Sequence, residues 1–228
     1  MAYPRTPWTL QGYALATLQL VDVERIRLFI PPEFEIVSVL PGKTIGGVYF
    51  ANYGAGSVLE YSELIVVPGA VSYSGKIGGW VSHIYVNNSD SVAGGREIWG
   101  LPKELAEFTW EQGTKSTSGY DNRLSVRQGE QLLCCFSYNQ PSFGLPLPLS
   151  GDVFSTLWDS VLLFNGKLES VTSIVGSQIQ IPAFSPFASI GLDQPWLTFY
   201  WDRLNLMVGV PDVIDNREPT KKAANLAL

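Results

Sequence analysis

The chain has 228 residues, 46% of them apolar and only 16% charged, so it can bury a substantial core and still line a cavity or a subunit interface. Its net charge is −6, from 21 acidic and 15 basic residues; with no basic run beyond Lys221-Lys222, a nucleic-acid binder is excluded. No apolar stretch approaches the roughly 18 residues of a membrane helix.

In chain order, "MAYPRTPW" (1–8) lacks the charged and apolar regions of a signal peptide, which predicts a cytoplasmic protein. "YALATLQLV" (13–21) alternates like a strand. "DVERIRLFI" (22–30) places Val23, Ile26, Phe29 and Ile30 on one helical face behind Asp22, and Pro31-Pro32 stops it. "TIGGVYFANY" (44–53), "SELIVVPGAVSY" (62–73) and "GWVSHIYVNN" (79–88) read as strands between turns at Pro41-Gly42, Gly54-Ala55-Gly56 and Ser74-Gly75. "KELAEF" (103–108) is expected to make one short helical turn. "RLSVRQ" (123–128) and "QLLCCFSYN" (131–139) form a hairpin through Gly129-Glu130. Its adjacent Cys134 and Cys135 point to opposite faces and read as buried thiols of a reducing compartment. "NQPSFGLPLPLSG" (139–151) reads as a connector and "DVFSTLWDSVLLF" (152–164) as a second helix. "LESVTSIVGSQIQI" (168–181) and "WLTFYWDRLNLMVGV" (196–210) are further strands, and the tail frays from Asp215. So many strands without a composition break predict one domain over 1–228, mainly β (α+β). It is expected to be a closed antiparallel cone or barrel around a pocket, with a few peripheral helices.

Most motifs fail on inspection. "PGKT" (41–44) has Val37 where a phosphate loop needs glycine. The single histidine, His83, lies in a strand pattern, and no Gly-x-Ser-x-Gly elbow exists for it to serve. It reads as a satisfied core residue. No ligand set for a metal is recognisable, and no cofactor is expected.

"GREIWGLPKELAEF" (95–108) is different, because it puts one lysine after Gly-Leu-Pro in an otherwise apolar run. Lys103 is either a loop lysine in water or an amine held dry. A free lysine has a pKa of about 10.4 and is almost wholly charged near neutrality. Burial in an apolar pocket favours the neutral, nucleophilic form. Pro102 supplies rigidity, and Trp99 and Leu101 the means to exclude water. Gly100 and Pro102 equally shape an ordinary turn, and Arg96-Glu97 an ordinary ion pair. Glu63 is either a pocket acid or a strand-end carboxylate facing water.

The run "AGGREIWGLPKELAEF" (93–108) resembles the signature Gly-Arg-Glu-x-x-x-x-Pro-Lys of the acetoacetate decarboxylase family. "PRTPW" (4–8) and the segment 60–97 extend the resemblance, which covers roughly 4–108. It implies the family's fold, with Lys103 as Schiff-base nucleophile and Glu63 as an active-site glutamate. Arg96, Glu97, Trp99 and Pro102 surround the lysine in sequence. The departures are equally specific. Glu104 stands where the decarboxylase has a second lysine, and Tyr13 and Val48 stand where it has an arginine and a further glutamate. A chain so altered is expected to act on a ketone or oxo-acid other than acetoacetate. Over the same stretch, "TPW" (6–8), "FIPPEF" (29–34), "GGVYFANY" (46–53), "ELIVVPG" (63–69) and "GREIWGLP" (95–102) resemble the plant neoxanthin-deficient 1 branch of the superfamily still more closely. That resemblance implies a link to carotenoid metabolism and a second reading, a binder of an apolar terpenoid or carotenoid without Schiff-base chemistry. Both readings predict a small-molecule partner and a homo-oligomer. They diverge on the charge of Lys103: a carboxylate paired with it favours the charged, structural form.

Overall fold

A computed structural model describes residues 3–113 and 119–216. The long alternating run near the N-terminus forms β1 (Trp8–Asp22). It passes into a short helix α1 (Val23–Ile26) and a 3-10 turn over Arg27–Phe29. The Arg27 guanidinium closes this turn by donating to the carbonyls of Ile30, Pro31 and Phe34. After β2 (Glu35–Ile36) come β3 (Lys43–Tyr53), β4 (Tyr61–Val67), β5 (Gly69–Tyr73), β6 (Lys76–Trp80) and β7 (His83–Val86). The runs 62–73 and 79–88 are thus two strands each. Pro68 divides the first: it has no N–H for a ladder. As a result β4 pairs with β3 and β7, while β5 pairs with β2 and β6.

The helix α2 (Ser89–Trp99) follows, then β8 (Lys103–Leu105) and β9 (Glu107–Gln112), so "KELAEF" is extended rather than helical. A hairpin of β10 (Asn122–Gln128) and β11 (Gln131–Tyr138) turns at Gly129, as expected. The segment 152–164 is not a helix. It is the turn of a long hairpin of β12 (Leu145–Leu157) and β13 (Ser160–Ile174), paired from Leu145↔Thr172 to Leu157↔Ser160. Its lack of a polar face belongs to a buried strand, where Phe154, Val161 and Leu162 pack inward; periodicity does not separate that case from a buried helix. The expected connector 139–151 enters β12 despite Pro146 and Pro148. Residues 145–150 are exposed, and β6 reaches β12 only at Val153 and Phe154, so the prolines interrupt no ladder on that side. The run 168–181 is split between β13 and β14 (Ser177–Gln180). Then come β15 (Leu197–Val208) and β16 (Asp212–Asn216), so Asp215 is strand; the tail beyond it lies outside the described residues.

The large sheet runs β2-β5-β6-β12-β13-β15-β1-β3-β4-β7-β8, with β16 beside β13; β14-β11-β10-β9 form a second sheet. The large sheet is not a closed barrel. Its ladder ends at β2 and β8, strands of two and three residues, too short to template an exposed edge. Closure is replaced by layering. Leu15, Phe50 and Leu64 of the large sheet share the main core with Leu124, Val126 and Phe136 of the small one. The opposite face carries Leu10, Ala51, Tyr53, Tyr61 and Trp201. A third cluster, with Trp8, Ile84, Trp99 and Phe164, lies beside α2. No helix among the described residues is long and apolar enough to cross a membrane.

Candidate active site

The short sequence around Lys103 is a helix end folded back onto a strand. Asn88 caps α2 by accepting from the Ser91 N–H at 3.0 Å. Gly100 ends it in the left-handed conformation, φ 61°, with its N–H returned to Arg96 and that of Leu101 to Gly95. Pro102 then sits at the centre of a tight turn in which the Lys103 N–H donates to the Leu101 carbonyl at 2.8 Å. Arg96 Nε donates to the Lys103 carbonyl at 2.7 Å. These bonds set the direction of β8, which pairs in parallel with β7 as Ile84↔Lys103.

The side chain of Lys103 turns inward and is 3% exposed, while Glu104, on the next pleat, faces out and accepts from Gln128 at 2.8 Å. Two glycines make room. A Cβ at Gly94 would lie 2.6 Å from the Trp8 ring, and one at Gly95 would lie 2.4 Å from Lys103 Cδ. Lys103 Nζ donates to Glu63 Oε1 at 2.8 Å and to Ser91 Oγ at 3.0 Å. It also stands 5.0 Å from the Tyr61 ring centre and 5.7 Å from that of Trp8, within cation–π reach.

Glu63, 4% exposed, reaches this point from β4, two strands away. Val86 is opposite Glu63 and Ile84 opposite Lys103. Ile84 and Val86 share a parity on β7, so both charged groups emerge on one face. Glu63 is also paired across β3 with Ala51, flanked by Tyr49 and Tyr53. The Tyr53 hydroxyl donates to Glu63 Oε2 at 3.2 Å and lies 2.9 Å from that of Tyr49. A polar string of Tyr49, Tyr53, Glu63, Lys103 and Ser91 therefore crosses an apolar surrounding. Burial, then the neighbouring charges, push the phenols of Tyr53 and Tyr61 well above their usual range, which keeps them as neutral hydroxyls.

This string borders a cavity of about 180 Å³. Its wall is mostly apolar, with Trp8, Trp99, Val81, Phe164 and Leu206 prominent. Both indole N–H groups are tied to backbone, Trp8 to Pro4 and Trp99 to Gly209, so the rings present carbon to the cavity. Lys103 is the one cation among the described lining residues and Glu63 the one anion.

The other expected residues separate into two groups. Trp99 lines the cavity, and Arg96 braces the lysine's backbone. Pro102 is exposed and lines a neighbouring groove rather than the cavity. Glu97 is exposed and accepts from the Tyr3 hydroxyl, so Arg96 and Glu97 have separate partners. Tyr13 and Val48 lie on the other face of the sheet. Val48 is sealed in the main core, and Tyr13 packs on Trp110 and Tyr200. The reason is pleat parity: Tyr49, one residue on, faces the cavity that Val48 does not. His83 is half-buried between Phe29 and Phe187, with Ser82 Oγ 2.9 Å from its Nδ1. Burial lowers its pKa. Sequence reasoning missed Ser91, Tyr49, Tyr53, Tyr61 and the two glycines. The alternation of Tyr49, Ala51 and Tyr53 carried the signal, but only the ladder shows which face it meets.

Known proteins resemble this chain to different extents. Residues 1–145 match the family model for acetoacetate decarboxylase. The protein NEOXANTHIN-DEFICIENT 1 of Arabidopsis thaliana is 34% identical over 107 residues, 47% of this chain and 38% of the plant protein. That of Solanum lycopersicum is 33% identical over 109 residues, 48% of this chain and 37% of the relative. An acetoacetate decarboxylase of Burkholderia mallei is 30% identical over 116 residues, 47% of this chain and 42% of the relative. The chain thus spans less than half the length of these curated relatives. Among solved structures, acetoacetate decarboxylase from Legionella pneumophila superposes with a TM-score of 0.71 at 16% identity, covering 95% of this chain and 90% of that one. The enduracididine biosynthesis enzyme MppR complexed with pyruvate gives 0.62 at 13% identity, covering 93% and 92%. These likenesses establish the fold.

Proposed function

The chain belongs to the acetoacetate decarboxylase family, and on that premise we propose that it is an enzyme forming a Schiff base through Lys103 with the carbonyl group of a small substrate. The observation that carries this reading is a lysine amine, 3% exposed, held 2.8 Å from a buried carboxylate at the wall of an apolar cavity. Glu63 takes a proton from Nζ and frees the lone pair. The nitrogen attacks the carbonyl carbon, the C=O pair moves to oxygen, and that oxygen leaves as water after collecting two protons. The C=N bond is left as an iminium, an electron sink for breaking a bond at the adjacent carbon. Cleavage there is decarboxylation or an aldol- or dehydration-type step. The Burkholderia relative is named for the first, and MppR has been captured with pyruvate.

The size of the cavity favours this over the storage of a whole pigment. At about 180 Å³ it is close to the roughly 150 Å³ cavity that accommodates benzene, and a carotenoid is several times larger. A carotenoid link, which the resemblance to the plant branch implies, fits this cavity only as a small fragment or precursor.

The test is borohydride reduction in the presence of a panel of small ketones, aldehydes and oxo-acids, followed by peptide mass mapping. A reduced adduct on Lys103, lost in Lys103→Met, is expected. No adduct with any carbonyl compound, together with tight binding of an apolar pigment, would move the assignment to the binding protein.

A further inference from the structure

We infer that the cavity selects an uncharged small carbonyl compound and rejects oxo-acids, because Glu63 already holds the counter-ion position of the iminium. This rests on the Schiff-base reading above and narrows it to the aldol- or dehydration-type steps, since decarboxylation needs a carboxylate on the substrate. The charge inside the wall is the reason. At rest, the ammonium of Lys103 and the carboxylate of Glu63 sum to zero, and each side chain is at most 5% exposed. An uncharged ketone and the lysine ammonium together give a protonated imine and one molecule of water. One positive charge is present before the step and one after it, and Glu63 remains its partner at the same place. The site stays neutral throughout.

An oxo-acid adds one negative charge to the same volume. Two carboxylates would then share one cation in a dry surrounding, which disfavours the ionised state of both. Nothing else in the wall offsets it. Among the described residues Lys103 is the lining's one cation. Arg96, the nearest in sequence, is spent on the Lys103 carbonyl and exposed. At the position where the decarboxylase has an arginine, Tyr13 points to the opposite face and packs on Trp110. The remaining polar groups that line the cavity are the phenols of Tyr49, Tyr53 and Tyr61. Tyr53 gives its hydrogen to Glu63 and Tyr49 gives its own to Tyr53, so the neutral Tyr61 hydroxyl is the one that donates to a carbonyl or alcohol oxygen without demanding charge. Once the iminium has formed, Glu63 is also the adjacent base for a proton on the neighbouring carbon. That C–H pair becomes the C=C of an enamine, the C=N pair returns to nitrogen, and the proton rests on the glutamate. Electrons and charge balance with no further reactant.

The experiment compares borohydride trapping of acetone and butanone with that of pyruvate and α-oxobutyrate, at equal concentrations, in the wild type and in Glu63→Gln. Adducts are read by mass at Lys103. In the wild type the uncharged compounds are expected to be trapped at least tenfold more than the oxo-acids. Glu63→Gln removes the resident counter-ion, so the ratio is expected to fall or invert. Oxo-acid adducts equal to or above the ketone adducts in the wild type would overturn the substrate class while leaving Lys103 as the nucleophile. No adduct at Lys103 with either class would overturn the reading beneath it, and this inference with it. Should Glu63→Gln fail to fold, the wild-type ratio alone decides.

Discussion

Gly95→Ala separates the lysine's chemistry from the rest of the fold without replacing any charged group. The substitution falls in the interior of α2, where alanine is worth about 1 kcal/mol over glycine by helix propensity. That gain is opposed by Lys103. The new Cβ would lie 2.4 Å from Cδ, 2.7 Å from Cε and 3.0 Å from Cγ of the lysine, whereas carbon atoms rest at about 3.5–4.0 Å. The side chain must move by about 1 Å. Its bonds to Glu63 at 2.8 Å and to Ser91 at 3.0 Å then pass beyond the usual limit of about 3.2 Å. Hydrogen bonds to charged groups contribute about 1.5–3 kcal/mol each. Losing two and regaining the helix term leaves a net cost of about 2–5 kcal/mol. Melting by circular dichroism should show it, since a chain of this size loses roughly 2–4 °C per kcal/mol. Borohydride trapping on Lys103 should fall at least tenfold in protein that remains folded at 20 °C or below. A Gly95→Ala protein with wild-type melting and wild-type trapping would refute the packing of the lysine stem against α2, and with it the account of why the chain carries two glycines there.

Two further outcomes are expected. Lys103→Met strands the Glu63 carboxylate and should destabilise by about 3–5 kcal/mol in urea titration at neutral pH, whereas Lys103→Met with Glu63→Leu should recover most of that loss; equal losses in both would show that the pair is not coupled. The buried phenols of Tyr53 and Tyr61 have pKa values raised well above 10 by burial and neighbouring charge, so their stabilising contribution is intact below about pH 10 and is lost as pH rises toward the folded values. Between those limits the unfolded chain gives up two protons that the folded one keeps. Stability should therefore fall by about 3 kcal/mol per pH unit, and the phenolate absorbance of these two residues should appear only with unfolding; their titration in the folded state near pH 10 would contradict the burial.

Several features of this protein were determined locally and are legible in the residues alone. Alternation over 13–21 and 44–53 made strands wherever the fold put them, because a pleated backbone needs one face for the core. The Gly100–Pro102 stop is likewise local, set by a left-handed glycine and a proline, whereas pairing with β7 decides that Lys103 rather than Glu104 turns inward. Other features depended on partners far away in sequence. Residues 152–164 carry no polar face, so only their pairing within the hairpin made them strand rather than helix. Pro68 marks a break in the run 62–73, but which sheet edge each half joins is decided by β2 and β6 on one side and β7 on the other. Resemblance put Tyr13 and Val48 at the site, and the ladder puts them on its far side, since one residue of register exchanges the two faces of a strand. The meeting of Glu63 with Lys103 is the clearest case. It needs β4, β7 and β8 side by side with matching pleats, together with two glycines in α2 that leave the amine room. A carboxylate 40 positions away in sequence became the lysine's partner because cross-strand geometry, not sequence distance, sets which buried charges share a face.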